Sequence, residues 1–164
     1  MKCCQKIVDE VVAHARRVAP EECCGVLIGN ATAIVEAIPT RNLSGNQNRF
    51  LIDPQGHMEA VRRSRALGLE VVGFYHSHPH SAAVPSARDL DEAAYPELLM
   101  MIVSLSIVSL SIASVSIGNL TPIASGQSAD ADLRLFRIAG ERFEAVELVT
   151  EATGRYPERR PAGA

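Results

Sequence analysis

The fold is decided by residues 69–89, LEVVGFYHSHPHSAAVPSARD. Their first part is rich in β-branched and aromatic residues, which predicts a strand that runs into the two histidines. Residues two positions apart on a strand lie on the same face, so His76 and His78 can bind one ion together. With Asp89 as a third ligand, a tetrahedral site keeps its fourth position open, as in catalytic zinc sites. The segment therefore predicts a catalytic Zn²⁺ site at the end of a strand.

The last four residues of this segment also have the spacing of a helix start. Ser86 and Asp89 stand as the N-cap and N3 residues of a capping box, which predicts a short helix to about Ala94. One interpretation is that both side chains only cap this helix. The other is that they also belong to the metal site, since a helix N-terminus carries partial positive charge and favours a nearby carboxylate or oxyanion.

A second motif lies upstream, in the segment PEECCGVLIG of residues 20–29. Together the two motifs resemble the JAMM (MPN+) metalloprotease family of the small bacterial type. His76, His78, Ser86 and Asp89 match its pattern of H-x-H, seven residues, S, two residues and D. The upstream motif matches P-x-E-x-C-G-x-L-x-G, which makes Glu22 the counterpart of the family's glutamate. The resemblance covers about residues 7–138.

This resemblance implies a fold and a set of roles. The expected fold is an α/β, single MPN (JAB)-type domain with a mixed, curved β-sheet flanked by helices, over residues 1–150, with 151–164 as a flexible tail. His76, His78 and Asp89 are expected to hold Zn²⁺. Glu22 is expected to take the proton of the attacking water and deliver it to the leaving amine, while Ser86 hydrogen-bonds the oxyanion.

The resemblance also implies a substrate class. JAMM enzymes cleave after the C-terminal glycine of ubiquitin-like proteins, and small bacterial members trim sulfur-carrier proteins. The carrier's Gly-Gly tail is expected to lie as an added strand beside the site, in a groove formed by the segment after Asn42 or by residues 80–85. Two other functions remain open: a peptidase for small peptide adducts, and a non-catalytic MPN scaffold without metal.

Composition narrows the possible partners. The 164 residues are 47% hydrophobic, which suits one domain, and the net charge of −3 provides no basic field for nucleic acid. Serines interrupt every long apolar stretch, so no membrane partner is expected. The first residues lack the apolar core of a signal peptide, which favours a cytoplasmic location. Four cysteines in two adjacent pairs indicate reduced thiols rather than a disulfide framework.

Periodicity predicts the remaining elements. Helices are expected over residues 7–18 and 54–67, the second with Asp53 as N-cap and Gly68 as its end. Strands are expected over residues 23–28, 33–38, 98–105, 133–138 and 143–148. A five-residue repeat begins at residues 102, 107 and 112 and is assigned no structure.

Other polar side chains are interpreted as ordinary surface groups. His14 and His57 are expected to be solvated on their helices. His80 follows Pro79, where the strand should already have ended, so it is not expected to be a ligand. The arginines at positions 62, 63 and 65 are expected to form a solvated helix face.

Overall fold

A computed structural model describes residues 1–91, 93–106 and 131–152. The strands of these residues are β1 (Lys2–Cys4), β2 (Cys24–Gly29), β3 (Ala33–Thr40), β4 (Glu70–His78), β5 (Leu99–Ser104), β6 (Asp132–Ala139), β7 (Arg142–Val146) and β8 (Val149–Glu151). Their helices are α1 (Gln5–Val18), α2 (Pro54–Ala66) and α3 (Ala87–Asp91). None of these helices has the length and apolar character needed to cross a membrane.

The strands form one mixed sheet, in the order β7-β6-β5-β4-β2-β3-β1-β8. The pairings β4 with β5, β1 with β3 and β1 with β8 are parallel, and the others are antiparallel. The register of β2 shifts near Ile28 on both of its sides, and such bulges increase the local twist of a sheet. The predicted mixed, curved sheet flanked by helices is confirmed.

The sheet is covered on both faces near its centre. The apolar stripe of α1 packs on one face against residues that include Leu27, while Ala60 of α2 packs on the other face against Val26 and Ile28. Because alternate residues of a strand point to opposite faces, every residue of β2 is buried. The strand that follows Glu22 is therefore the buried centre of the molecule.

The second helix begins and ends close to the predicted residues. The Asp53 side chain accepts a hydrogen bond of 2.9 Å from the Gln55 amide, and Pro54 is the first helical residue. The helix ends at Ala66, and Gly68 has a positive φ of 67°. Such a left-handed residue after the last turn is a common helix stop that favours glycine.

Some elements differ from the predictions. The N-terminus does not pass directly into a helix, because Lys2–Cys4 first forms a parallel strand between β3 and β8. Three-residue strands carry too few positions to show a period, which is why both β1 and β8 were missed. The strand β8 extends through Glu151, one residue past the predicted domain limit. The predicted tail beyond residue 152 and the repeat copies that begin at residues 107 and 112 lie outside the described residues.

The prediction of a solvated His14 is wrong. His14 is only 6% exposed, and its Nδ1 is hydrogen-bonded to the hydroxyl of buried Tyr75 at 2.8 Å. Burial lowers the pKa of His14, and the nearby charge of Arg17 lowers it further. His57 is half-buried rather than free in solvent, with its ring edge-on to Phe74.

Candidate metal centre and active site

The structure brings together the three predicted ligands. His76 and His78 occupy the end of β4, and Asp89 lies on α3. The two histidine Nε2 atoms are 3.0 Å apart, and the Asp89 oxygens lie 3.4 Å from His76 Nε2 and 3.9 Å from His78 Nε2. Two nitrogens and a carboxylate thus surround one point, with all ligand atoms within 4.8 Å of one another.

The two imidazoles differ in their surroundings. The Nδ1 of His78 donates a hydrogen bond of 2.9 Å to the Ala82 carbonyl, so Nε2 of the neutral ring has a free electron pair. Burial lowers the pKa of His76, an effect that Asp89 opposes and His78 reinforces. Within the described residues, His76 Nδ1 is a buried nitrogen without a hydrogen-bond partner.

These residues fit zinc. Tetrahedral ligands with bonds of about 2.0–2.1 Å stand about 3.3 Å from each other, close to the spacing of the His76, His78 and Asp89 atoms. Neutral imidazoles with one carboxylate are donors that zinc prefers, and three protein ligands leave one position open.

Phe50 covers the first of these ligands. Its ring stacks on His76 with centroids 4.4 Å apart and an angle of 18° between the planes. Phe50 lies in the segment between β3 and α2, and this contact contributes to the complete burial of His76. Phe50 is the one aromatic residue of this segment, and that is the sequence signal for it.

The capping box of Ser86 and Asp89 is confirmed. The Ser86 amide donates to Asp89 Oδ2 at 2.6 Å, and the Asp89 amide donates to Ser86 Oγ at 3.2 Å. The helix that they start is shorter than predicted, since Ala93 and Ala94 are not helical. Ser86 is exposed, and in the cap its oxygen only accepts, which leaves the hydroxyl proton available to a ligand.

Glu22 lies on the same face of the sheet as the two histidines. Cys24 pairs with His76 in the antiparallel register of β2 and β4. Two residues earlier, the same register places Glu22 level with His78. Glu22 is 8% exposed, whereas its neighbour Glu21 is exposed.

A cavity of about 740 Å³ borders Asp89. Its wall is mostly apolar and includes much of the segment between β3 and α2: Leu43, Ser44, Asn46, Arg49, Phe50, Leu51 and Ile52. Tyr95, Phe74 and His57 form an aromatic cluster on the same wall. None of the described residues 80–85 lines the cavity.

His80 is exposed and lies outside the metal-ligand group found in the described residues, in agreement with its predicted role.

Comparisons with known proteins agree with this geometry. The chain is 36% identical over 103 residues to a desampylase from Haloferax volcanii, covering 58% of this chain and 74% of that protein. It is 32% identical over 100 residues to a CysO-cysteine peptidase from Mycobacterium bovis, covering 60% of this chain and 68% of that protein. A solved protein from Desulfitobacterium hafniense matches with a TM-score of 0.75 and 26% identity, over 94% of each chain.

The family match covers most of the chain. Residues 5–116 match the family described as prokaryotic homologs of the JAB domain. This range contains Glu22, both histidines, Ser86 and Asp89. The predicted enzyme class, a hydrolase of the JAMM type, agrees with the peptidase relatives. The chain therefore belongs to the family of prokaryotic JAB-domain homologues within the JAMM/MPN proteins.

Proposed function

We propose that this protein is a zinc-dependent hydrolase that cleaves a peptide or isopeptide bond after the C-terminal glycine of a ubiquitin-like or sulfur-carrier protein. The observation that carries the proposal is the group of His76, His78 and Asp89 beside a buried glutamate and an apolar cavity. The desampylase and CysO-cysteine peptidase relatives support a small carrier protein as the substrate.

In this proposal His76, His78 and Asp89 hold the zinc. Zinc bound there supplies a Lewis acid that polarises water and lowers its pKa towards about 7. Glu22 accepts the proton of the attacking water and passes it to the leaving amine. Its burial favours this role, because a carboxylate with few waters around it exchanges protons with the reacting groups rather than with solvent.

Ser86 stabilises the developing oxyanion of the scissile carbonyl. Its oxygen accepts the Asp89 amide, so its hydroxyl proton can donate to the substrate. The N-terminus of α3 adds partial positive charge at the same place. Serine is not the nucleophile in this scheme, since no base is hydrogen-bonded to it in the described residues.

The carrier's Gly-Gly tail lies along the segment after Asn42. Of the two segments considered for the groove, this one lines the cavity, and residues 80–85 do not. Leu43 and Leu51 are 42% and 57% exposed on it, which provides apolar contacts for the residues that precede the glycines. A flexible tail that binds as an added strand gains main-chain hydrogen bonds without a particular sequence.

The peptidase for small adducts is the second candidate, and the CysO-cysteine peptidase relative favours it. The two candidates differ in the leaving group. In the first it is a protein, joined through its α-amino group or a lysine side chain, and in the second it is a single amino acid or short peptide.

The test uses two substrates made from one sulfur carrier with a Gly-Gly terminus. One carries a single cysteine after the last glycine, and the other is joined through that glycine to a lysine side chain of a peptide. Zinc-loaded protein should convert one or both to the bare carrier, as measured by intact mass. Unchanged masses for both substrates, or cleavage at any other bond, would refute the proposal.

The variant Glu22→Gln tests the proton carrier in the same assay. It should keep its zinc and lose turnover by about 10²–10⁴-fold, because an amide cannot accept the proton. Glu21→Gln is the matched control, since Glu21 is exposed and should leave turnover unchanged. Turnover of Glu22→Gln within about threefold of wild type would reject the role of Glu22.

A further inference from the structure

We propose that Asn42 and Ser77 are positioning residues that together fix the peptide group between Glu22 and Cys23, Asn42 at its carbonyl and Ser77 at its amide. The inference rests on the proposed function, in which Glu22 carries the proton. Glu22 lies two residues before Cys24, where the paired residues of β2 and β4 begin. A catalytic carboxylate needs a fixed backbone, because a shift of about 1 Å can cost about 10²-fold in rate.

Ser77 holds the peptide group after Glu22. The Cys23 amide donates to Ser77 Oγ at 2.8 Å, and the Ser77 amide donates to the Cys23 carbonyl at 3.1 Å. In a regular antiparallel pair the Cys23 amide would donate to the carbonyl of the opposite residue. Here the serine hydroxyl takes that place. Ser77 is fully buried and lies between the two histidine ligands, so Cys23 connects Glu22 to the strand that carries them.

Asn42 holds the carbonyl of Glu22 itself. Its Nδ2 donates to the Glu22 carbonyl and to the Arg49 carbonyl, each at 2.9 Å. Its Oδ1 accepts the amides of Ser44 and Leu51, also at 2.9 Å. Both amide protons and both oxygen lone pairs of this side chain are therefore used.

The bonds of Asn42 join Glu22 to a second part of the site. The loop that they close, residues 43–51, carries Phe50, whose ring stacks on His76. One carboxamide thus fixes both the glutamate backbone and the loop that covers a metal ligand. In the described residues, neither Asn42 nor Ser77 is hydrogen-bonded to His76, His78 or Asp89. Their substitution should consequently change catalysis without removing the metal.

The variants remove these bonds selectively. Asn42→Asp keeps the oxygen that accepts Ser44 and Leu51 but loses both donors, while Ser77→Ala removes the acceptor of the Cys23 amide. Each should lower kcat by about 10-fold or more at unchanged zinc content and with KM within about threefold of wild type. Ser77→Thr restores the hydroxyl and should recover most of kcat.

Asn30→Asp is the matched control. Asn30 lies in the turn between β2 and β3, where its Oδ1 accepts the amides of Thr32 and Ala33. Aspartate keeps both acceptor roles and adds the same charge as Asn42→Asp. Its activity should equal that of wild type, which would exclude a general effect of charge.

The deciding measurement repeats Asn42→Asp and Ser77→Ala in the Glu22→Gln background. If both residues act through Glu22, each should change the residual kcat of Glu22→Gln by less than about twofold. Three results would overturn the inference. They are effects in the Glu22→Gln background as large as in wild type, wild-type kcat in both single variants, or a loss of zinc and folding together with activity. Wild-type turnover of Glu22→Gln would instead refute the proposed function.

Discussion

At the scale of single residues, structural hydrogen bonds set the chemical state of the candidate site. His78 uses Nδ1 to donate to the Ala82 carbonyl, and this bond fixes the ring with Nε2 beside His76 and Asp89. Asp89 in turn accepts the Ser86 amide, which orients its carboxylate. His78 is thus held at the ring nitrogen opposite the one that would bind the metal, a role that outer partners of metal ligands commonly have.

Ser86 provides a test that separates capping from catalysis. Ser86→Ala should lower the free energy of unfolding by about 0.5–2 kcal/mol, because the Asp89 amide loses its acceptor. It should also lower kcat by about 10²–10³-fold if the hydroxyl meets the oxyanion. Both quantities are measured on zinc-loaded protein, by urea unfolding and by the carrier assay.

Ser86→Asn completes this test. Asparagine is a good N-cap residue, so it should recover most of the stability, but it does not return a hydroxyl to the same place. Recovery of both stability and kcat by Ser86→Asn would mean that Ser86 is a cap only.

At the scale of elements, β4 delivers different residues to its two faces. Phe74, His76 and His78 point towards the side of α2 and the cavity, while Tyr75 and Ser77 point towards the side of α1. The same strand therefore presents metal ligands on one face and structural contacts on the other. The Tyr75 ring also requires a glycine at position 25 of β2, where an added Cβ would overlap this ring and the Ile38 carbonyl.

The contact between α1 and β4 predicts a dependence of stability on pH. Burial lowers the pKa of His14 in the folded protein, with the positive charge of Arg17 acting in the same direction beside neutral Tyr75. Below about pH 6.5 the unfolded chain binds a proton at this position more readily than the folded protein does. The stability contributed by neutral His14 is therefore complete above about pH 6.5 and is lost as the pH falls towards the folded-state pKa.

The measurement compares wild type with His14→Gln. Urea unfolding of metal-free protein at about pH 7.5 and about pH 5.5 should show a smaller loss of stability in the variant. Because both proteins contain the other four histidines, the contributions of those side chains cancel in the comparison. An equal or larger loss in His14→Gln would contradict the assignment.

At the scale of the whole molecule, the candidate site joins distant parts of the chain. The ligands come from β4 and α3, Glu22 precedes β2, and Phe50 belongs to the segment before α2. A metal bound only by the folded arrangement stabilises the fold by mass action. The site and the global stability of the protein should therefore be coupled.

Zinc titration tests this coupling. At a free zinc concentration about 100 times Kd, the free energy of unfolding should rise by about 2.7 kcal/mol, and elemental analysis should find about one zinc ion per chain. His78→Ala should abolish both effects, whereas His80→Ala, which removes an exposed histidine, should retain them. Unchanged zinc in His78→Ala would refute the ligand set, and no zinc in wild type would support the metal-free scaffold.

The sequence by itself determined the features that depend on near neighbours. The Asp53 cap, the Gly68 stop, the capping box at Ser86 and the alternation of β4 all follow from residues within a few positions of one another. Caps and periods act through the local backbone, so they can be recognised in one segment. The two histidines and Asp89 could be proposed as ligands because their spacing within one segment of 14 residues forms a recognisable motif.

Only the tertiary structure decided the features that depend on distant contacts. Whether His14 is buried depends on Tyr75, which lies 61 residues away, and the short strand β1 exists because β3 and β8 pair with it. Asn42 meets the Glu22 carbonyl 20 residues away only after the sheet has formed. A polar side chain can be buried when a distant partner completes its hydrogen bonds. No local sequence pattern predicts where that partner will lie.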